Sequence, residues 1–500
     1  MRLKYLITAL LITLTAVGAF WLSDGNRMKE DLALWLGEQS GYQVEIEGNL
    51  DWQILGGLGL AAQDVRLIGE EEDIRVGSIS LSANFGNLFQ SLDDWQVKTL
   101  QINDAQIASG DSNVQISRLL LTDFRPNTMA PFQGSLSMAT GAQGAAYPIQ
   151  VSGMLRYVPE SGTQAGALEL LNTRVMTEFL EANCAGRITG GSGYQGPTIA
   201  EHPEDLVSIP TLYAADTTAQ CDIQKMVLGD RPLPVSELKL SLQGGELEAG
   251  LTYPTFYQGD LQIDLDLTPE QGTLAWTIDV KGQGIDSSKV FGSDAGPRSW
   301  QAIVEVDASI SATGNQLPAL VSGAKGTGHV TSQSGYMDVS RVKVIISLLS
   351  QLAGKSDPTT DWGQRISYRE LDATWTMQGQ AHELDTKIDN LRWQMSGPID
   401  LLADRLDLRG HISASAPGAD DLIRMDPAFY DIPIPIKCAG TLADPGCATD
   451  REELTELVAQ LFLNAQKRRL QDVIEDAVKD QLPEPLQDAA KSLLNLFKKD

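Results

Sequence analysis

Apolar and polar residues alternate along most of this chain. The clearest stretch runs from Leu238 to Val280. Leu238, Leu240 and Leu242 alternate with polar positions. After Gly244-Gly245, Leu247, Ala249, Leu251 and Tyr253 repeat the pattern, then Leu261, Ile263, Leu265 and Leu267, then Leu274, Trp276, Ile278 and Val280. Gln262, Asp264 and Asp266 occupy the alternate face. A period of two predicts strands with one apolar and one wet face. Neighbouring strands of this kind predict an antiparallel meander with one apolar side. That side must meet either a second sheet or an apolar ligand.

The same alternation extends in both directions. It is read at Val44 and Ile46, from Leu58 to Leu67, from Ile74 to Phe85, at Val97 to Ile107, and at Val114 and Ile116. Leu136 to Leu155 adds further strands, and Leu168 to Phe179 fits strand or helix. Past the central run come Ile303 to Ile310, Leu371 to Met377, Leu391 to Met395 and Ile399 to Ile412. Three stretches carry helical spacing instead. Arg27 to Ser40 places Met28, Leu32, Trp35 and Leu36 on one face. The second half of Met337 to Leu352 is read as helix. Thr449 and Glu452 form a capping box ahead of helices that continue, across Pro483 and Pro485, to Phe497.

The N-terminus has a different character. Arg2 and Lys4 precede Tyr5 to Leu22, which carries no charge. As a helix those residues span ~27 Å, about one hydrocarbon core. The flanking charges place the N-terminus in the cytoplasm and the rest across the membrane. The competing reading is a cleaved signal peptide with Val17-Gly18-Ala19 as its cleavage site. The apolar run continues through Phe20, Trp21 and Leu22, which favours an anchor. The expected divisions are 1–22 (anchor), 23–125, 126–300 with a loop stapled by cysteines, 301–450, and 451–500 (amphipathic helices).

The net charge of -28 argues against nucleic acid as a partner, because a phosphate backbone selects a basic surface. In an oxidising compartment the four cysteines are expected to pair locally, Cys184 with Cys221 and Cys438 with Cys447, although three connectivities are open. No metal site or cofactor is expected: there is no CxxC, and His202 stands alone between Cys184 and Cys221. No GxxxxGK[ST], HExxH or GxSxG sequence occurs, and His202, His329, His382 and His411 are scattered. Candidate groups do not converge, so the chain is read as non-enzymatic.

Two blocks of sequence carry a family resemblance. The first is Ser40-Gly41-Tyr42-Gln43-Val44, then Ile46-Glu47-Gly48-Asn49-Leu50, Leu58-Gly59-Leu60 and Asp64-Val65-Arg66-Leu67, all following the anchor. The second holds Ser311-Ala312-Thr313-Gly314, Met395-Ser396-Gly397-Pro398-Ile399-Asp400-Leu401, Leu406-Asp407-Leu408, Ile432-Pro433-Ile434-Pro435-Ile436-Lys437 and Gly440-Thr441-Leu442. Together they resemble the AsmA family of Gram-negative envelope proteins, which is similar in architecture to chorein-type bridge proteins. The motif fixes turns and core positions and holds no catalytic group. The resemblance implies an elongated, curled antiparallel sheet forming an apolar groove, with helices at the ends. It implies an inner-membrane-anchored periplasmic protein that carries phospholipid acyl chains between the inner and outer membranes. A partner protein is expected at the C-terminal end. Leu240, Leu251, Leu265, Trp276, Ile278, Trp375 and Trp393 are the expected groove residues. The alternative is an envelope scaffold that assists or regulates outer-membrane protein assembly, with a closed sandwich core.

Overall fold

A computed structural model describes residues 26, 29–40, 42–53, 58–69, 72–83, 96–109, 112–140, 147–160, 165–196, 204–229, 231–290, 300–340, 343–344, 346–347, 357, 359–360, 362–418, 421, 430–441 and 445–448. The expected anchor Tyr5–Leu22 and the expected helices of 451–500 lie outside these residues. Among the described residues no helix is long and apolar enough to cross a membrane. Among the described residues the fold is mainly β, with 69% in strands, laid out as one large antiparallel open sheet with few helices. It divides into two compact units. The first comprises Met1–Phe256, Asp260–Ile278 and Thr313–Leu317; the second comprises Tyr257–Gly259, Asp279–Ala312 and Pro318–Asp500.

The first unit begins with α1 (Lys29–Ser40), β1 (Gln43–Ile46), β2 (Leu50–Gln53), β3 (Leu58–Ile68), β4 (Glu72–Ala83), β5 (Val97–Ser109) and β6 (Ser112–Phe124). It continues with β7 (Ala130–Thr140), β8 (Tyr147–Val158), β9 (Ala167–Met176), β10 (Leu180–Gly190), α2 (Ile209–Leu212) and β11 (Ala215–Leu228). Next come β12 (Arg231–Leu233), β13 (Ser236–Gln243), β14 (Glu246–Phe256) and β15 (Gly259–Glu270). β16 (Thr273–Asp286) starts in the first unit and ends in the second. Leu168 to Phe179, which the pattern left between strand and helix, is strand β9 and the start of its turn.

Cross-strand pairing converts the alternation into apolar rows, because residues directly opposite share a face. One row runs Ile46, Val65, Val76, Ala105, Ile116, Leu136, Ile149 over β1 and β3 to β8. A second runs Trp52, Leu60, Leu81, Leu100, Leu121, Phe132 over β2 to β7. Between these rows the alternation slips by one residue in four consecutive strands. Apolar positions there are three apart: Ala62 and Val65, Val76 and Ile79, Ile102 and Ala105, Ile116 and Leu119. Asp64 (φ 49°) and Asp104 (φ 54°) take a left-handed conformation at the slip, which aspartate tolerates better than most residues. Gly77 sits there because a Cβ would lie 3.1 Å from Asp104 Cβ. At the last of the four, between Ile116 and Arg118, β6 is a residue longer than β7 and the irregularity ends as a bulge.

The hydrophobic core of this end is Val44, Leu50, Ala62, Val65, Val76 and Ala105, with Leu32, Ala33 and Leu36 of α1 packed on it. The expected helix is therefore present over Lys29–Ser40, and it covers the apolar face there. Met28 and the Trp35 side chain, expected on that face, lie outside the described residues.

The outer face is tied by ion pairs. Arg66 donates Nε and Nη2 to the two carboxylate oxygens of Asp73 at 2.9 and 2.8 Å, and Arg75 adds a bond at 3.1 Å. The Arg66 hydrogen bond, helped by Arg75, holds the Asp73 carboxyl down at about 2 against an ordinary value of 3.8. The folded pKa is the lower one, so this contribution is complete above about pH 4 and is lost as pH falls through about 2. Asp73→Asn is expected to flatten the pH dependence of stability in that window: the variant melts slightly below the wild type at pH 7, and the difference closes as pH falls to about 2, read by thermal melts from pH 2 to 7.

The second unit holds α3 (Ser287–Val290), β17 (Trp300–Thr313), α4 (Leu317–Gly323), whose first residue belongs to the first unit, β18 (Lys325–Ser332), β19 (Gly335–Asp338) and β20 (Arg365–Tyr368). It ends with β21 (Leu371–Gln378), β22 (Ala381–Ile388), β23 (Leu391–Asp400), β24 (Arg405–Ala414), β25 (Ile434–Gly440) and β26 (Pro445–Ala448). Lys343, Val344, Ile346 and Ser347 are helical, as the spacing of Met337 to Leu352 predicts, and Lys343 N donates to Val339 O at 2.7 Å. Two rows cross this unit. Val306, Val330, Ala373, Thr386, Trp393, Ile412 and Ile434 form one; Ala308, Gly328, Trp375, Leu384, Met395, Gly410 and Ile436 form the other.

Candidate functional site: the apolar sheet face

The candidate site is a surface, and its residues are positioned by strand register. In the first unit, Leu240 of β13 lies opposite Ala219 of β11 and Ala249 of β14; Leu251 lies opposite Leu238, which faces Cys221. Leu240 and Leu251 are thus diagonal neighbours on one face. Leu265 alternates with Asp264 and Asp266, of which Asp266 is exposed. Leu240, Leu251, Leu265, Trp276 and Ile278 are all half-buried, and so are Trp375 and Trp393 in the second unit. A residue sealed between two sheets would be buried outright. Trp276 has a second duty. Its indole N–H donates to Gly314 O at 3.0 Å, and it packs against the cluster Ile209, Leu212, Leu267 and Leu274.

That cluster corrects one expectation. The stretch between Cys184 and Cys221 is loop at most in its middle: its ends, to Gly190 and from Ala215, are strand, and the bond ties those strands together. Both cysteines sit within strands, directly opposite each other on β10 and β11, and the connecting segment carries α2 down onto the sheet. The reason is local: Ile209 and Leu212 are apolar, Pro210 suits a first helical turn, and the ends of β13 to β16 present Leu242, Leu247, Leu267 and Leu274 to receive them. The apolar face is therefore covered at that margin. The expected pairings themselves are present: Cys184–Cys221 and Cys438–Cys447 are both bonded. Cys438 likewise faces Cys447 across β25 and β26. Each bridge takes the place of an apolar cross-strand pair, since Cys221 continues into Leu238 and Cys438 into Leu408.

In the second unit part of the face is closed more fully. Leu371, Ile388, Leu391 and Ala414, opposite one another on β21 to β24, are buried, as are Val339, Ile346 and Tyr368 earlier in the same unit. Trp300 Nε1 donates to Tyr368 Oη at 2.7 Å, and burial pushes the Tyr368 phenol up. Between this margin and the far ends of the strands lie the half-buried Trp375, Leu384, Met395 and Trp393.

One residue of this face has no apolar character. His382 follows the β21–β22 turn, opposite Met377 and Gly397, and is 4% exposed. Its ring stacks against Trp375 at 5.8 Å between centroids, and Trp375 Nε1 donates to its Nδ1 at 3.0 Å. Burial lowers its pKa. As a histidine in a row of strand residues it gave no sign of this in the sequence. Only the register, which sets Met377 against His382 and Trp375 against Leu384, places the two rings on one face.

The wet face offers two hollows. One, of about 480 Å³, is lined by Ser309, Lys325, Thr327, Thr376 and Gln378 among others. The other, of about 400 Å³, is lined by Arg409, His411 and Lys437 with Pro433 and Pro435. Asp407 lies 3.5 Å from Lys437 Nζ and 4.0 Å from Arg409 Nε, and so offsets the charge of the second. No group of three or more metal-ligating side chains is gathered among the described residues. No protein-family model matches the chain, and no curated protein is similar enough to count as a match.

Proposed function

We propose that this chain is an AsmA-like envelope protein that carries phospholipid acyl chains along the apolar face of its sheet. The observation that carries the reading is the half-burial of Leu240, Leu251, Leu265, Ile278, Trp375 and Trp393, which leaves side chains of strongly apolar rows short of a partner layer. Each buried CH₂ of a lipid tail gains ~0.8 kcal/mol, so two tails find ample stabilisation on such a face with no specific contact. Cargo can slide because neighbouring rows are equivalent. The headgroup remains in water, so an acidic exterior is no obstacle to it. No energy-coupling motif is present in the sequence, and direction would come from gradients or partner proteins.

In this reading residues 5–22 hold the protein in the inner membrane with the bulk of the chain in the periplasm. Two disulfides suit that oxidising compartment. Helix α1 closes the N-terminal end of the lane, and a partner completes the path to the outer membrane. The scaffold reading draws instead on the buried row Leu371, Ile388, Leu391, Ala414.

Purification of the full chain in mild detergent, followed by solvent extraction and mass spectrometry, separates the two. One or more phospholipids per chain, absent from a periplasmic control protein, is the expected result. A lipid-free, cooperatively folded protein would overturn the proposal and leave the scaffold.

A further inference from the structure

The apolar face contains hydrogen-bond donors that nothing among the described residues answers. Trp375 has a single polar atom, an N–H, and it can only donate. Its partner Nδ1 of His382 is therefore the acceptor nitrogen, and the proton of the neutral ring is on Nε2. Burial lowers the pKa of this imidazole and so favours that neutral form. His382 Nε2 is itself buried and has no hydrogen-bond partner among the described residues. Trp393 Nε1, on the same face, is also buried and without one. Gly328 helps to seat the arrangement: a Cβ there would stand 3.0 Å from Trp375 Cε3.

Buried donors are normally paired, so an orphan needs an explanation. Its counterpart must be an acceptor able to enter an apolar layer. A phosphate or carboxylate would give up its hydration there at great cost. Hydrocarbon and isoprenoid chains have no acceptor at all. An ester carbonyl is uncharged, accepts strongly and is attached directly to an acyl chain.

We propose that His382 and Trp393 are specificity contacts of the lane, each donating its ring N–H to an ester carbonyl oxygen of the cargo, which makes the cargo an acyl-ester lipid. The inference rests on reading the apolar face as a lipid lane. Positions 382 and 386, the latter directly opposite Trp393, are four residues apart on β22, about 13 Å, so the two donors serve separate carbonyls.

The test uses the full chain in detergent, loaded with a fluorescent-acyl phosphatidylcholine. Two competitors displace it: dioleoyl phosphatidylcholine and its dialkyl-ether analogue, which has the same headgroup and chains but no carbonyl. The wild type is expected to favour the diester by about five- to tenfold. His382→Phe with Trp393→Phe is expected to bring the two competitors within twofold while the ether lipid still binds. His382→Gln, which keeps a donor and an acceptor, should restore part of the preference. If the double variant does not fold, Trp393→Phe alone, which keeps an aromatic ring and removes the N–H, should lower the preference two- to threefold. Equal competition in the wild type, or an undiminished preference in the folded variants, overturns the assignment with the lane left standing. Failure of the wild type to bind the fluorescent lipid at all overturns the lane and this inference with it.

Discussion

Leu240→Asp is expected to reduce co-purifying phospholipid at least tenfold while the protein stays folded. Leu240 stands between Ala219 and Ala249, so a carboxylate placed there lies among small apolar side chains with no cation across from it. A half-buried aspartate keeps part of its hydration when the lane is empty and loses it when an acyl chain is laid over it. The penalty therefore falls on the loaded state, and it is the cost of covering an unpaired charge. The empty protein forfeits only part of one leucine's burial, about 1–2 kcal/mol. Leu265→Asp should behave alike. Thr218→Asp supplies the control: it adds the same charge on the exposed outer face, directly opposite Arg187, and should leave lipid content unchanged. The readouts are phospholipid per chain by mass spectrometry and the circular dichroism melt. Collapse of the melt in Leu240→Asp, with Thr218→Asp unaffected, would mean that the residue is part of a closed core and that the lane does not exist.

The apolar face that carries Leu240 was legible in the sequence, because alternation alone assigns faces there; the outward place of Thr218 was not, since it falls in the Cys184 to Cys221 stretch read as a loop. So were most of the other strands, helix α1 and the two cysteine pairings legible; β10 and β11 were not. Three further features were not. The slip at Asp64 and Asp104 is written in the chain as apolar positions three apart, but a single such spacing looks like a strand end. It becomes a feature only when four strands align it with one another, and alignment is register. The seat of α2 was hidden for a related reason. A four-residue helix is too short for any period to show, and its partners Leu267 and Leu274 lie some sixty residues further on. His382 was passed over because a histidine beside a turn is ordinarily solvated. Its burial depends on Trp375 seven residues earlier, across a hairpin whose register the sequence does not specify. In each case the missing information is long-range pairing. Local pattern reports which residues face inward, but not what they face.

Removing the Cys184–Cys221 bond is expected to destabilise the protein by about 4 kcal/mol, against about 2.5 kcal/mol for Cys438–Cys447. These figures follow from the loop each bond closes, with sequence separations of 37 and 9, through the loss of loop-closure entropy in the unfolded chain. The alanine pairs Cys184→Ala/Cys221→Ala and Cys438→Ala/Cys447→Ala are the variants to compare by urea unfolding under oxidising conditions, since alanine keeps these cross-strand positions apolar. The first bond holds β10 to β11 at the base of the segment that delivers α2, and no turn of a few residues joins those strands. The second joins β25 to β26, whose connection is already short. The first pair should therefore also loosen the packing of Ile209 and Leu212 on Leu267 and Leu274, seen as faster amide exchange at Leu274, whereas the second pair should leave that amide unchanged. Equal losses from both pairs, with no change at Leu274, would show that the strand ladder alone fixes β10 against β11. The long crossover would then owe its position to the packing of α2, and the bond would matter only while the chain is folding in an oxidising compartment.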